Sequence, residues 1–170
     1  MLRYLKLSQI GIYGLMLVLL SGCGASVDSL VGAYLKTPFL GPVAASSGDI
    51  GNDEAWNKAK ALYESGDFAG AAAQFESVAW DPYFDGPADF YIGLCKLYQT
   101  EPDLNSAIVW LEKAEKKTAN LRTHAYWFLT LAYLKTDYDK GVERLYFISE
   151  SPGHVYTDQA SELINALLQL

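Results

Sequence analysis

The sequence contains little of what an active site or a metal centre usually requires. Cysteine and histidine occur only twice each, and His124 and His154 stand 30 residues apart, so neither forms a metal-ligand spacing with a cysteine or a carboxylate. No glycine-rich phosphate loop, Gly-x-Ser-x-Gly elbow or His-Glu-x-x-His helix is found either. We therefore expect no catalytic residue, no cofactor and no metal. A fragment of an enzyme is the least favoured alternative.

Positive charge is also scarce. The chain has 13 Lys and Arg residues against 20 Asp and Glu residues, a net charge of −7. The densest basic run, Lys113 to Lys117, contains Glu115 and is typical of one solvated helix face. Since binding to nucleic acid needs a basic patch, we do not expect a nucleic-acid partner.

No apolar run is long enough to cross a membrane as a helix. The longest, Ile10 to Leu20, has 11 residues where about 20 are needed. It follows Arg3 and Lys6 and ends at Leu20-Ser-Gly-Cys23, the layout of a secretory signal peptide.

The four residues Leu20 to Cys23 resemble the lipobox of bacterial lipoproteins. The resemblance implies cleavage that removes residues 1–22 and a diacylglycerol and palmitate anchor on the Cys23 thiol, with Gly24 favouring transfer to the outer membrane, facing the periplasm of the bacterial cell envelope. The mature chain would keep 11 basic residues against 20 acidic ones, a net charge of −9. The alternative is an ordinary signal peptide cut near Ala25, with Cys23 discarded.

Residues 23–52 are rich in glycine, alanine, serine and proline, and Pro38, Gly41 and Pro42 interrupt any helix. We interpret them as the lipidated cysteine and a flexible linker, which as a random coil would separate anchor and domain by roughly 30 Å. The middle of the linker is more apolar than a spacer needs, and it either docks on the domain or rests at the lipid interface. Its apolar residues are Val31, Tyr34, Leu35, Phe39 and Leu40.

A similar octad occurs three times in the rest of the chain. It begins at Ala71, Ala107 and Gly141, each time with a small residue first and apolar residues four and seven positions later. Periods of 36 and 34 residues are typical of stacked helical pairs. Apolar periodicity and turn residues predict helices at about 53–65, 68–79, 87–99, 103–118, 121–135, 138–149 and 157–169.

Three pairs of about 34 residues, with Gly93, Ala132-Tyr133 and the triplet Ala107, Leu111 and Ala114, resemble tetratricopeptide repeats. The resemblance covers about 53–152 and implies an all-α, right-handed array of three helix pairs, with residues 153–170 as a C-terminal capping helix. Gly141 departs from the usual alanine. The end of the repeat region resembles small repeat lipoproteins of Bacteroidetes-type envelopes. A simple helical bundle is the alternative architecture.

By this resemblance the first helix of each pair lines a concave groove. We predict that Trp56, Tyr63, Tyr98 and Trp127 are exposed there and bind a protein or peptide partner of the envelope, because aromatic residues dominate binding hot spots. An accessory protein that binds a glycan or another small nutrient beside an outer-membrane transporter is the alternative function. The full set of expected groove positions is Trp56, Lys60, Tyr63, Phe90, Leu94, Tyr98, Trp127, Leu131 and Lys135.

Overall fold

The computed structural model describes residues 25–39 and 54–170, and every regular element in these two ranges is an α-helix. The predicted all-α class is confirmed. Each of the seven predicted helices is found, with its ends within two residues of the predicted ones, and an eighth helix precedes them. The helices are α1 (Val27–Tyr34), α2 (Glu54–Glu64), α3 (Phe68–Val78), α4 (Asp85–Tyr98), α5 (Leu104–Lys117), α6 (Arg122–Thr136), α7 (Tyr138–Glu150) and α8 (Thr157–Leu167).

From α2 to α8, each helix packs against the next one along the chain. Because the turns between them are short, consecutive helices are antiparallel neighbours. Helix α4 also contacts α6, and α1 contacts α6 and α8 across the chain. The core therefore lies between successive layers, and α1 is the only described helix that packs out of sequence order.

An aspartate begins the second helix of each pair. The carboxylates of Asp67, Asp103 and Asp137 accept hydrogen bonds from backbone N–H groups three residues later, at 2.9, 3.1 and 3.3 Å. Such caps satisfy donors that the helix itself leaves free. The caps recur at the 36- and 34-residue spacing of the octads, so local helix starts and packing positions repeat together.

The octad triplets are buried at all three places. Ala71 and Ala107 have no exposed surface and Gly141 is buried, as are the residues four positions later, Phe75, Leu111 and Leu145. The residues seven positions later, Val78, Ala114 and Ile148, are buried too. The prediction that each triplet lies on one core-facing side of its helix is confirmed.

Gly141 lies where two helix backbones come close together. A Cβ atom there would stand 2.5 Å from the backbone nitrogen of Leu134 and 2.7 Å from its Cα. Alanine favours a helix by about 1 kcal/mol over glycine, but overpacking costs about 1–3 kcal/mol. We expect Gly141→Ala to lower the free energy of unfolding, measured by urea denaturation.

Gly32 in α1 is the matched control for this prediction, since a Cβ atom there meets nothing within 4 Å. Gly32→Ala should leave stability unchanged or raise it slightly. If Gly141→Ala were as stabilising as Gly32→Ala, the close approach of α6 and α7 would be disproved.

The described part of the linker is not a flexible coil, so that prediction is wrong for residues 25–39. Ser26 caps α1, accepting a hydrogen bond from the Ser29 backbone N–H at 3.2 Å, and Val31 is fully buried. The helix ends before Pro38, as proline requires. Of the two alternatives, docking on the domain is the one observed. The signal peptide, Cys23 and residues 40–53 lie outside the described residues.

Within residues 25–39 and 54–170, no helix combines the length and the apolar character needed to cross a membrane.

Candidate functional site

One face of the domain, formed by α4, α6 and α8, is covered by residues 27–39, which we call the docked segment. The segment runs antiparallel to α6. The Asp28 carboxylate lies 3.3 Å from the Lys135 ammonium near the end of α6, and the Tyr34 ring lies edge-on, 5.6 Å from the Trp127 ring, in the middle of α6. Tyr34 also donates a 3.5 Å hydrogen bond to the Gln159 carbonyl of α8. We call the surface beneath it the docking face.

Phe39 ends the docked segment in an aromatic pocket. Its ring centroid lies 5.5 Å from that of Phe90 and 5.8 Å from that of Phe128, both edge-on, and 4.7 Å from the His124 ring. Edge-to-face pairs of this kind contribute about 0.5–1.5 kcal/mol each beyond the area they bury. Phe39 is therefore the aromatic anchor of the segment.

Two tyrosine hydroxyls lie beside the Phe39 backbone. Burial raises the pKa of Tyr63 and of Tyr98, and the Phe39 backbone acts in the opposite direction on both. Neither hydroxyl has a hydrogen-bond partner of normal geometry within the described residues. A buried hydroxyl without a partner costs about 1–3 kcal/mol. The polar floor of the pocket is thus incompletely satisfied by the described residues of the segment.

Two histidines meet at Tyr156, between α6 and α8. The His124 Nδ1 lies 2.8 Å from the Tyr156 hydroxyl, and the His154 Nδ1 accepts a 3.3 Å hydrogen bond from the Tyr156 backbone N–H. Burial lowers the pKa of both imidazoles, and for His124 the neighbouring His154 lowers it further. Both rings are therefore held neutral in the folded protein.

This arrangement predicts a loss of stability on mild acidification. A depressed histidine pKa means that the unfolded chain binds protons first, so the free energy of unfolding falls as pH drops through about 6.5 toward the folded values. We expect urea denaturation to show this fall between about pH 7.5 and 5, above the range in which carboxylates titrate. His124→Gln should flatten it. An unchanged slope in His124→Gln would exclude His124 as the cause.

The predicted exposure of the groove tryptophans is wrong. Trp56 is 3% exposed and Trp127 is 2% exposed. Trp56 stacks on Phe84 and meets Phe75 edge-on, each at 5.1 Å. Trp127 stacks on Tyr156 at 4.9 Å and is covered by Tyr34. Both rings are core because aromatic residues from other helices enclose them.

The tyrosines of the predicted site are divided. Tyr63 is 3% exposed, so its predicted exposure is also wrong, while Tyr98 is half-buried. Of the remaining expected groove positions, Phe90, Leu94 and Leu131 are fully buried, and Lys60 and Lys135 are half-buried. Tyr63, Tyr98, Phe90, Trp127 and Lys135 nevertheless lie at the docked segment, so part of the set converges on one face. Partner binding by Trp56, Tyr63, Tyr98 and Trp127 stays a prediction.

Sequence reasoning missed Phe39 and Tyr156 as parts of this face. The signal for Phe39 was the excess of apolar residues in a segment otherwise composed like a linker. Tyr156 gave no signal, because it sits in the turn before α8 and reaches α6 only in the folded chain.

A second cluster lies at the start of α4, around a cavity of about 250 Å³. The Asp89 carboxylate is buried 2.9 Å from the Lys117 ammonium, which also pairs with Asp85. Burial raises the pKa of Asp89, and Lys117 opposes this rise. The ammonium thus offsets a buried negative charge, a structural role that needs no ligand.

Neither cluster has the composition of a metal centre. No group of three or more histidine, cysteine or acidic residues is placed to hold an ion within the described ranges. Cys95 is fully buried, as predicted, and burial raises the pKa of its thiol to about 12. A thiol with such a pKa is not a nucleophile at neutral pH.

No protein-family model matches the chain, and no curated protein or solved structure is significantly similar to it. The class of the protein is therefore set by its helices alone, as an all-α protein with one face covered by its own N-terminal segment.

Proposed function

We propose that this protein is a non-catalytic, lipid-anchored scaffold of the bacterial cell envelope that holds a peptide or protein partner on the inner face of a tetratricopeptide-like array. The recurring buried triplets and the three aspartate caps support the repeat architecture. The observation that carries the function is the docked segment. A helical turn followed by extended chain already lies along this face, which is how grooves in helical proteins hold peptides.

Docking of α1 also changes the expected position of the anchor. Cys23 precedes Ser26, the N-cap of α1, by three residues, which reach about 10 Å when fully extended. If Cys23 is lipidated, the domain is held within this distance of the membrane as long as the segment stays docked. The 30 Å separation expected from a free linker would apply only after release.

The anchor is tested by mass spectrometry of the protein extracted from membranes. We expect a mature chain that begins at Cys23 and carries a diacylglycerol, and we expect Cys23→Ser to abolish membrane recovery. A mature chain that begins near Ala25 and is found in the soluble fraction would show an ordinary signal peptide instead.

The partner is tested with a photo-crosslinking amino acid placed in living cells at Lys60, which is half-buried on α2. The control position is Val109, exposed on α5. We expect one envelope protein to be crosslinked from position 60 and not from position 109. Equal crosslinking from both positions, or only to chaperones, would argue against a partner on this face.

A glycan-binding function is the second candidate, and exposed aromatic residues support it. Trp80 and Tyr83 lie in the turn between α3 and α4 with 80% and 65% of their surface exposed. Exposed rings provide stacking platforms for sugars, which the buried Trp56 and Trp127 do not. Tyr83 also borders the 250 Å³ cavity.

Titration with glycans, followed by tryptophan fluorescence, tests this candidate. A saturable shift that disappears in Trp80→Ala would favour glycan binding. A shift that persists in Trp80→Ala would place the ligand elsewhere, and no shift would leave the scaffold function as the better account.

A further inference from the structure

We propose that the docked segment is an exchangeable resident ligand of the docking face, and that the partner is a peptide that presents an aromatic anchor in the place of Phe39. This inference rests on the proposed scaffold function and names the chemistry of its partner and the competition that regulates it.

The helix of the segment depends on the face for its order. Helix α1 has eight residues, and isolated helices shorter than about 12 residues are marginal in water. The segment is joined to α2 only through residues 40–53. It behaves in this respect as a tethered peptide that folds upon the domain, and its loss leaves every helix from α2 to α8 with its neighbours along the chain.

The face keeps its own aromatic packing without the segment. Trp127 stacks on Tyr156 within the domain, Phe90 lies 6.2 Å from Phe128, and Tyr63 lies 5.1 Å from Tyr91. These contacts join α2, α4, α6 and the turn before α8. The floor under Phe39 is therefore assembled by the domain, as a preformed binding site is.

The segment contacts this floor at three separate points along its length. Asp28 pairs with Lys135, Tyr34 caps Trp127, and Phe39 fills the pocket of Phe90, His124 and Phe128. The ion pair is weak because the Asp28 side chain is 76% exposed. Most of the binding free energy must come from the apolar residues, with Phe39 as the anchor.

The resident segment is an imperfect occupant. Among the described residues, nothing satisfies the Tyr63 and Tyr98 hydroxyls beside the Phe39 backbone. A peptide whose backbone offers carbonyl oxygens to both hydroxyls would gain two hydrogen bonds that the segment does not supply. Such a peptide has a route to bind more tightly than the segment does.

The tether sets how strong the competitor must be. A short flexible linker holds its ligand at an effective concentration of about millimolar. The apparent affinity of a competing peptide is lowered by the fraction of molecules in which the face is free. Release of the segment would at the same time lengthen the tether to the anchor, so partner binding and distance from the membrane would be coupled.

The experiment uses the full chain with a site for a sequence-specific protease inserted between Ser46 and Ser47, cut after folding. We expect the cut segment to leave on dilution, as seen by size-exclusion chromatography, with the helical circular dichroism of the remainder retained. A fluorescent synthetic peptide of residues 25–46 should then rebind saturably.

Two peptide variants identify the anchor. Phe39→Ala should bind at least tenfold more weakly than the natural peptide. Lys36→Ala, changed at an exposed position, should bind within about twofold. Equal affinity of Phe39→Ala and the natural peptide would overturn the aromatic-anchor proposal.

Loss of helical signal when the segment leaves would show that it is an integral part of the fold, which overturns exchange. A segment that remains bound through dilution and competition by excess peptide would do the same. The peptide exchange requires neither the lipid anchor nor the envelope partner. Failure of the Cys23 or crosslinking tests with successful exchange would therefore reject the proposed function and not this inference.

Discussion

Trp127→Ala is expected to lower the free energy of unfolding by about 3–5 kcal/mol, the usual cost of removing a large aromatic residue from a core. The Trp127 ring is 2% exposed, stacks on Tyr156 and is covered edge-on by Tyr34. Its removal leaves a cavity between α6, the turn before α8 and the docked segment. Urea denaturation followed by circular dichroism measures the loss.

Trp80→Ala is the matched control, because the same substitution is made at a ring that is 80% exposed. We expect a change within about 0.5 kcal/mol there. The pair distinguishes a core tryptophan from a surface one. Similar small effects at both positions would mean that Trp127 is a surface residue, as the sequence had suggested.

Leu111→Ala is expected to lower the free energy of unfolding by about 2–5 kcal/mol. Leu111 has no exposed surface and lies directly over Gly93, where an added Cβ would stand 2.6 Å from the Leu111 Cγ. The leucine therefore fills the space that the missing glycine side chain leaves between α4 and α5. Thermal and urea denaturation should agree on the loss.

Val109→Ala, on the same helix but 52% exposed, should change stability by less than about 0.5 kcal/mol. The contact with Gly93 is tested separately. Gly93→Ala should be destabilising in the natural chain and less so in the Leu111→Ala background, because the shorter side chain makes room. Additive effects of the two substitutions would disprove the contact.

Much of the helical framework was predictable because it is specified locally. Apolar residues recur at helical spacing, and proline, glycine and aspartate mark the turns, so all seven helices after the linker were placed within two residues. The burial of Ala107, Leu111 and Ala114 followed from their spacing on one helix side. A helix start at Asp103 was predicted from its residue type, and its carboxylate caps α5.

Helix α1 was not predictable in the same way. Its eight residues are too few to form a stable helix alone, and proline and glycine nearby favour a linker. What orders it is contact with α6 and α8, including the bond from Tyr34 to Gln159, 125 residues away. No local pattern records a contact of that separation.

The sequence by itself determined that this protein is built of helices, where they begin and end, and which side of each faces the core. Only the tertiary structure decided which aromatic residues remain at the surface and what lies on the candidate face. The physical reason is that helical periodicity depends on near neighbours, whereas the exposure of Trp56 or Trp127 depends on rings supplied by distant helices.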